Sequence, residues 1–259
     1  VIGMKALPVA AVCIAITCSQ AAQAQDKLAF ISCPIVRDTS SVPCWLSEFD
    51  GQMYYMGIQT DVSAEFNPPS LGHKVLVEGT VKADGQEICG GKVLDPVKVS
   101  VLPELAPECN TMLTVEARYE LPFEAPRPPG PSRGRLAFTP PPPPPLPVAP
   151  FAEKTFTIPY DFDGTVNFQS PRFLTPALEY ANHIDAGRIE ITGYRTAVKL
   201  SGGEVVSERD GLGTVRAEQV ARLLKGGGLT EPTYVVRGID RPETGGPDLR
   251  RVTIRVVPK

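Results

Sequence analysis

Six consecutive prolines, Pro140 to Pro145, stand inside a proline-rich run over residues 122–150. Proline has no amide hydrogen and a fixed φ, so such a run joins neither a helix interior nor a sheet ladder. It stays extended, rising about 3.1 Å per residue, and some 29 residues reach roughly 60–90 Å depending on how much is stiff. SH3 and WW ligands share this composition, but those partners are uncommon in an export compartment, so a spacer is expected. The run divides the 259-residue chain into a unit over 26–121 and another over 151–259, with residues 1–25 set apart in front.

Those first 25 residues read as a secretory signal. Lys5 follows Met4, an apolar run extends from Ala6 to Ile16 broken by Pro8, and Ala22-Gln23-Ala24 is an A-x-A cleavage site that puts the mature start at Gln25. The apolar run is short of the ~20 residues a bilayer span requires. Two of the six cysteines, Cys13 and Cys18, lie in this signal, and neither follows the Leu-small-small pattern of lipoprotein processing. Export leaves Cys33, Cys44, Cys89 and Cys109, an even set expected to form two disulfides, with three pairings open. A zinc site is the rival, and no C-x-x-C pair supports it. The net charge of −3 gives no basic patch to meet a phosphate backbone, so nucleic acid is not an expected partner.

The unit over 26–121 reads as all-β. Strands are expected at Gln52 to Thr60, at Lys74 to Val81 with a kink at Gly79, at Val93 to Leu102 interrupted by Asp95-Pro96, and at Leu113 to Leu121, where apolar residues alternate. Four or five strands in this length, with two staples to supplement a thin core, suit a small disulfide-stapled β-barrel, OB-like in its Gly72-x-Lys74-Val75-x-Val77-x-Gly79 run. Trp45 beside Cys44 is expected to pack on a disulfide, and Met53, Tyr54 and Tyr55 serve strand packing or a partner surface. The unit over 151–259 alternates strands and helices: a strand at Lys154 to Tyr160, a helix with Thr175 as N-cap and Pro176 at its first position, and a strand at Arg188 to Thr192. Ala217, Val220, Ala221 and Leu224 form the apolar stripe of a second helix, stopped by Gly226-Gly227-Gly228. Strands at Thr233 to Arg237 and Arg251 to Val257 complete a β-α-β-α-β-β order, an α/β sandwich that makes the whole chain α+β.

No catalytic constellation is visible. His73 and His183 fall in different units, the glycine pairs lack a phosphate-loop context, and Asp161 with Asp163 is expected to shape a turn. No enzyme activity, metal or cofactor is expected.

Four pieces of the last unit, in order, resemble the OmpA-like family: Phe162-Asp163 followed by Leu174-Thr175-Pro176; Ile189-x-Ile191-x-Gly193-Tyr194; Leu212-x-x-x-Arg216-Ala217-x-x-Val220-x-x-Leu223-Leu224; and Gly238 and Pro242 before Arg250-Arg251-Val252-x-Ile254-x-Val256. The resemblance implies non-covalent association with peptidoglycan through the diaminopimelate of its stem peptide, in the periplasm, at the cell wall or outer membrane. It makes Arg216 the fork for a ligand carboxylate, with Tyr194, Arg209, Asp210 and Arg251 around it. Arg216 is expected in the first turn of its helix, against the dipole. At the family's aspartate stands Thr196, which is unable to neutralise an ammonium, and Glu208 or Asp210 is the expected substitute acid. The alternative is a degenerate OmpA-like fold used for protein contacts. Residues 26–121 are expected to meet an envelope protein partner.

Overall fold

The computed structural model describes residues 27–58, 70–119, 146–166 and 170–259. The signal expected over 1–25 and most of the proline-rich run lie outside the described residues.

The N-terminal part contributes β1 (Lys27–Ser32), β2 (Pro34–Arg37), β3 (Cys44–Phe49), β4 (Gln52–Ile58), β5 (His73–Val81), β6 (Glu87–Ile88), β7 (Gly91–Leu105) and β8 (Thr111–Leu113). Their order is β1-β5-β7-β4-β3-β2-β8, with β6 against β7. Asp50 and Gly51, both at positive φ, make the two-residue turn that joins β3 to β4 in register. The interruption expected at Asp95-Pro96 is a bulge within β7, where Gly79 pairs with Val97 and Val81 with Leu94. Alternation along β3 sends Cys44 and Trp45 into different clusters: Cys44 packs with Ile35, Leu46 and Cys89, while Trp45 packs with Phe30, Tyr54 and Met56. Trp45 is therefore core, and does not cover the disulfide as expected.

Two further expectations are corrected. Among the described residues no closed barrel is found: no ladder returns from β8 to β1. The chain turns at Cys33 between β1 and β2, so β1 follows β5 while β2 follows β3, and β8 takes the remaining edge of β2. The strand expected over Leu113 to Leu121 does not continue through its described residues, 113–119, either. β8 ends at Leu113 and a 3-10 turn follows at Ala117–Tyr119, where Arg37 pairs with Glu116 at 2.7 Å and lies over the Tyr119 ring. The disulfides are Cys33–Cys109 and Cys44–Cys89.

The C-terminal part contributes β9 (Lys154–Pro159), α1 (Ser170–His183), β10 (Arg188–Lys199), β11 (Val205–Ser207), α2 (Leu212–Gly226), β12 (Thr233–Thr244) and β13 (Arg251–Val257). The expected order holds, with one hairpin strand, β11, added. β10 is central, parallel to β12 and antiparallel to β13, which in turn carries β9. Ile189 and Ile191 of β10, and Val252, Ile254 and Val256 of β13, form a core with Ala177 and Ala181 of α1 and Ala217, Val220, Ala221 and Leu224 of α2. The opposite face carries Arg255 and Glu190, paired at 2.9 Å. α1 begins at Ser170, so Thr175 is not its cap and Pro176 sits inside it. Without an amide hydrogen, Pro176 gives up the bond a helical residue makes to the carbonyl four before it.

The two parts touch, against the expectation that the linker holds them apart. Leu76 of β5, Phe162 and Val198 of β10 share a buried cluster with Ala29, Ile31, Leu102, Leu200 and Val206 around them. Arg250 and Glu78, both buried, form an ion pair across the contact.

Candidate functional site

Three glycines set the position of α2. A Cβ on Gly213 would lie 2.9 Å from the Gly193 carbonyl oxygen, one on Gly193 would collide with the Gly213 carbonyl, and one on Gly238 would collide with Thr214. The first turn of α2 thus lies directly on β10 and β12, with backbone against backbone. Gly211, at φ 77, starts the helix. Arg216 is its fifth residue, just past the first turn where it was expected, and is 0% exposed.

The Arg216 guanidinium uses all five of its N–H donors. Nε donates to the Gly164 carbonyl at 2.8 Å; Nη2 donates to the Asp161 carbonyl at 2.9 Å and to Glu208 Oε1 at 2.7 Å; Nη1 donates to the Tyr194 carbonyl and to Glu208 Oε2, both at 3.2 Å. Glu208, also 0% exposed, therefore meets the fork with both oxygens. Its Oε1 accepts a further bond from the Asp163 amide at 3.1 Å, and its Oε2 from the Thr196 amide at 2.7 Å and hydroxyl at 3.1 Å. The Tyr160 ring lies 4.8 Å from the guanidinium carbon. Burial pushes the Tyr160 phenol up to about 12, against the pull of Arg216, so it stays neutral.

The rim is closed on itself as well. The Arg209 amide donates to the Asp163 carboxylate at 2.7 Å, and its guanidinium to the Asp163 carbonyl at 3.0 Å. Arg195 pairs with Asp210 and donates to the Asp240 carbonyl. The Asp240 carboxylate receives the Gly211 amide at 2.7 Å, so the anion-favouring start of α2 already faces an internal acid. Arg251 lies over the Tyr194 ring at 4.5 Å and donates to the Asp248 carbonyl.

Of the residues expected to bind ligand, Arg216, Thr196 and the backbone of Tyr194 meet at one point, while Arg209, Asp210 and Arg251 lie in the surrounding pairs. Glu208, one of the two expected substitute acids, is the one brought in. It stands on the arginine as a carboxylate, where the resemblance places a ligand carboxylate, and Thr196 serves it as a donor. Asp163 does shape a turn, at φ 56, with the Gly164 amide bonded to the Asp161 carbonyl. The Asp161 and Gly164 carbonyls were not legible in the residues, because backbone acceptors have no residue signature. Chemically the arrangement is a buried, fully hydrogen-bonded arginine–carboxylate pair. Among the described residues, no three His, Cys, Asp or Glu side chains gather to hold a metal ion.

No family model matches the chain, and no curated protein matches it. The chain is similar to the solved OmpA-like domain of FopA1 from Francisella tularensis subsp. tularensis SCHU S4, at 17% identity and TM-score 0.32, over 41% of this chain and 73% of that one. It is similar to a MotB-like protein from Desulfovibrio vulgaris at 17% identity and TM-score 0.34, over 41% and 74%.

Proposed function

We propose that this chain is a non-catalytic cell-envelope protein of the peptidoglycan-associating kind, whose stem-peptide site is shut by its own Glu208 in the form described. One observation carries this reading: every N–H of Arg216 is taken, two of them by Glu208, and neither side chain reaches solvent. A diaminopimelate carboxylate reaches the fork only after Glu208 leaves. Breaking a buried, hydrogen-bonded ion pair costs about 3–5 kcal/mol, or about two to four orders of magnitude in affinity. In the shut form the C-terminal part works through protein contacts, as it does against the N-terminal part. The two disulfides support an oxidising compartment such as the periplasm, in keeping with the signal read in residues 1–25.

Co-sedimentation of the full chain with purified peptidoglycan sacculi tests this. Wild type is expected in the supernatant, Glu208→Ala in the pellet, and Glu208→Ala combined with Arg216→Ala in the supernatant again. Wild-type protein that pellets and is released by Arg216→Ala alone would overturn the shut site. Glu208→Ala protein that folds but stays in the supernatant would overturn the wall-binding half and leave the chain a protein-contact module.

A further inference from the structure

The geometry points to the N-terminal part as the clamp that keeps Glu208 on Arg216, so that lifting it away opens the carboxylate receptor. This rests on the reading of Arg216 as that receptor. Two segments wall the arginine, and the N-terminal part grips both. The first runs over residues 160–164. On one side it supplies the Asp161 and Gly164 carbonyls to Arg216 and the Asp163 amide to Glu208. On the other side Phe162, 1% exposed, packs on Leu76 of β5, and its amide donates to Ser100 Oγ of β7 at 3.0 Å. The Asp161 carboxylate pairs with Lys98, also of β7. A single turn is therefore bonded to β7 by alternate groups and to the arginine by the rest.

The second segment is the β10–β11 hairpin, which ends at Ser207 and delivers Glu208 as the next residue. Its turn is bonded to β1: the Ser201 amide donates to the Ala29 carbonyl at 2.7 Å, and the Ala29 amide donates to Ser201 Oγ at 3.0 Å. Leu200 and Val206 of the hairpin pack on the same cluster as Ala29, Ile31 and Leu102.

A third link passes through the buried Arg250–Glu78 pair. The Arg250 carbonyl receives the Tyr160 amide at 2.9 Å, and Tyr160 stacks on Arg216. Burial pushes the Glu78 carboxyl up, against the pull of Arg250 and Lys98, and the negative charge of Glu208 adds to the rise, so the interface and the receptor share one electrostatic environment. Displacement of the N-terminal part removes support from both walls at once. A ligand that enters only the open form binds in proportion to the open fraction.

Amide hydrogen exchange on the full chain tests the clamp. The reporters are the Asp163 and Thr196 amides, which donate to Glu208, with Ile191 as the core control. Lys98→Glu places a like charge against Asp161 at the contact, and Leu76→Ala thins the shared cluster. Lys82→Ala alters a pair with Asp84 in the N-terminal part and serves as the control variant. Exchange at Asp163 and Thr196 is expected to rise about tenfold or more in Lys98→Glu and in Leu76→Ala, with Ile191 unchanged, and not to rise in Lys82→Ala. Unchanged exchange at both reporters in Lys98→Glu, or a rise only in step with Ile191, overturns the clamp. A diaminopimelate-containing muropeptide added to the loosened variant separates the two readings. Faster exchange without binding supports the clamp and overturns the wall-binding reading, whereas faster exchange with binding supports both.

Discussion

Arg216 and Glu208 satisfy one another inside a buried cradle, so losing either alone is costly and losing both together much less so. Arg216→Met leaves a buried carboxylate and Glu208→Met leaves a buried guanidinium, so each is expected to destabilise the chain by about 3–5 kcal/mol. The double variant removes both charges and is expected to recover a large part of that loss, a non-additivity of more than about 1 kcal/mol in urea unfolding. Simple addition of the two single losses would mean that the pair is not coupled. Glu78 behaves differently. Burial, more than any charge, raises its folded-state pKa above the ordinary value of about 4.5. The folded chain therefore binds the Glu78 proton more tightly than the unfolded one. That contribution to stability is complete below pH 4.5 and is lost as pH rises through the raised pKa. Wild type measured against Glu78→Gln is expected to lose relative stability as pH rises from 4 to 7. A difference that stays flat or grows in favour of wild type contradicts the assignment.

At the scale of elements, α2 rests on glycine. Gly193→Ala sets a methyl group against the Gly213 carbonyl, backbone that has no rotamer to escape into, and is expected to cost about 1–3 kcal/mol by thermal unfolding. A neutral result would show that α2 rides higher on β10 than described. The disulfide Cys33–Cys109 bridges a sequence separation of 76 and Cys44–Cys89 one of 45. Replacing either pair with alanines is expected to cost about 4 kcal/mol, within the 2–5 typical of such bridges, readable in guanidinium unfolding. Much of this architecture was legible in sequence. The stripe Ala217, Val220, Ala221 and Leu224 is the buried face of α2, and period-2 alternation marks β10 and β13. The start of α1 was misread because Thr175-Pro176 has the composition of a helix entrance, while Ser170-Pro171, where α1 does begin, offers the same signal five residues earlier. Residues 113–121 alternate like a strand, yet Ala117–Tyr119 form a 3-10 turn beside the ion pair of Arg37 with Glu116 and the stacking on Tyr119, a tertiary contact that local pattern does not contain. At the site, the charged residues were visible and their pairing was not. That Arg216 meets Glu208 follows from how the β10–β11 hairpin folds back, with its turn hydrogen-bonded to β1, a tertiary contact that local pattern does not contain.

For the molecule as a whole, the N-terminal sheet does more than accompany the C-terminal one. It covers Phe162 and Arg250 and is hydrogen-bonded to the exposed hairpin turn at Ser201, the contacts from which the clamp on the arginine cradle is proposed. The shut cradle is the centre of this account, and nitrogen-edited NMR of the arginine side chains in the intact chain tests it most directly, before and after addition of a diaminopimelate-containing muropeptide. A guanidinium with five protein acceptors gives a distinct Nε–H and separate, slowly exchanging Nη–H signals, and these are expected for Arg216, unmoved by the muropeptide. A single averaged, rapidly exchanging Arg216 signal, or one that shifts as muropeptide is added to wild type, would contradict it.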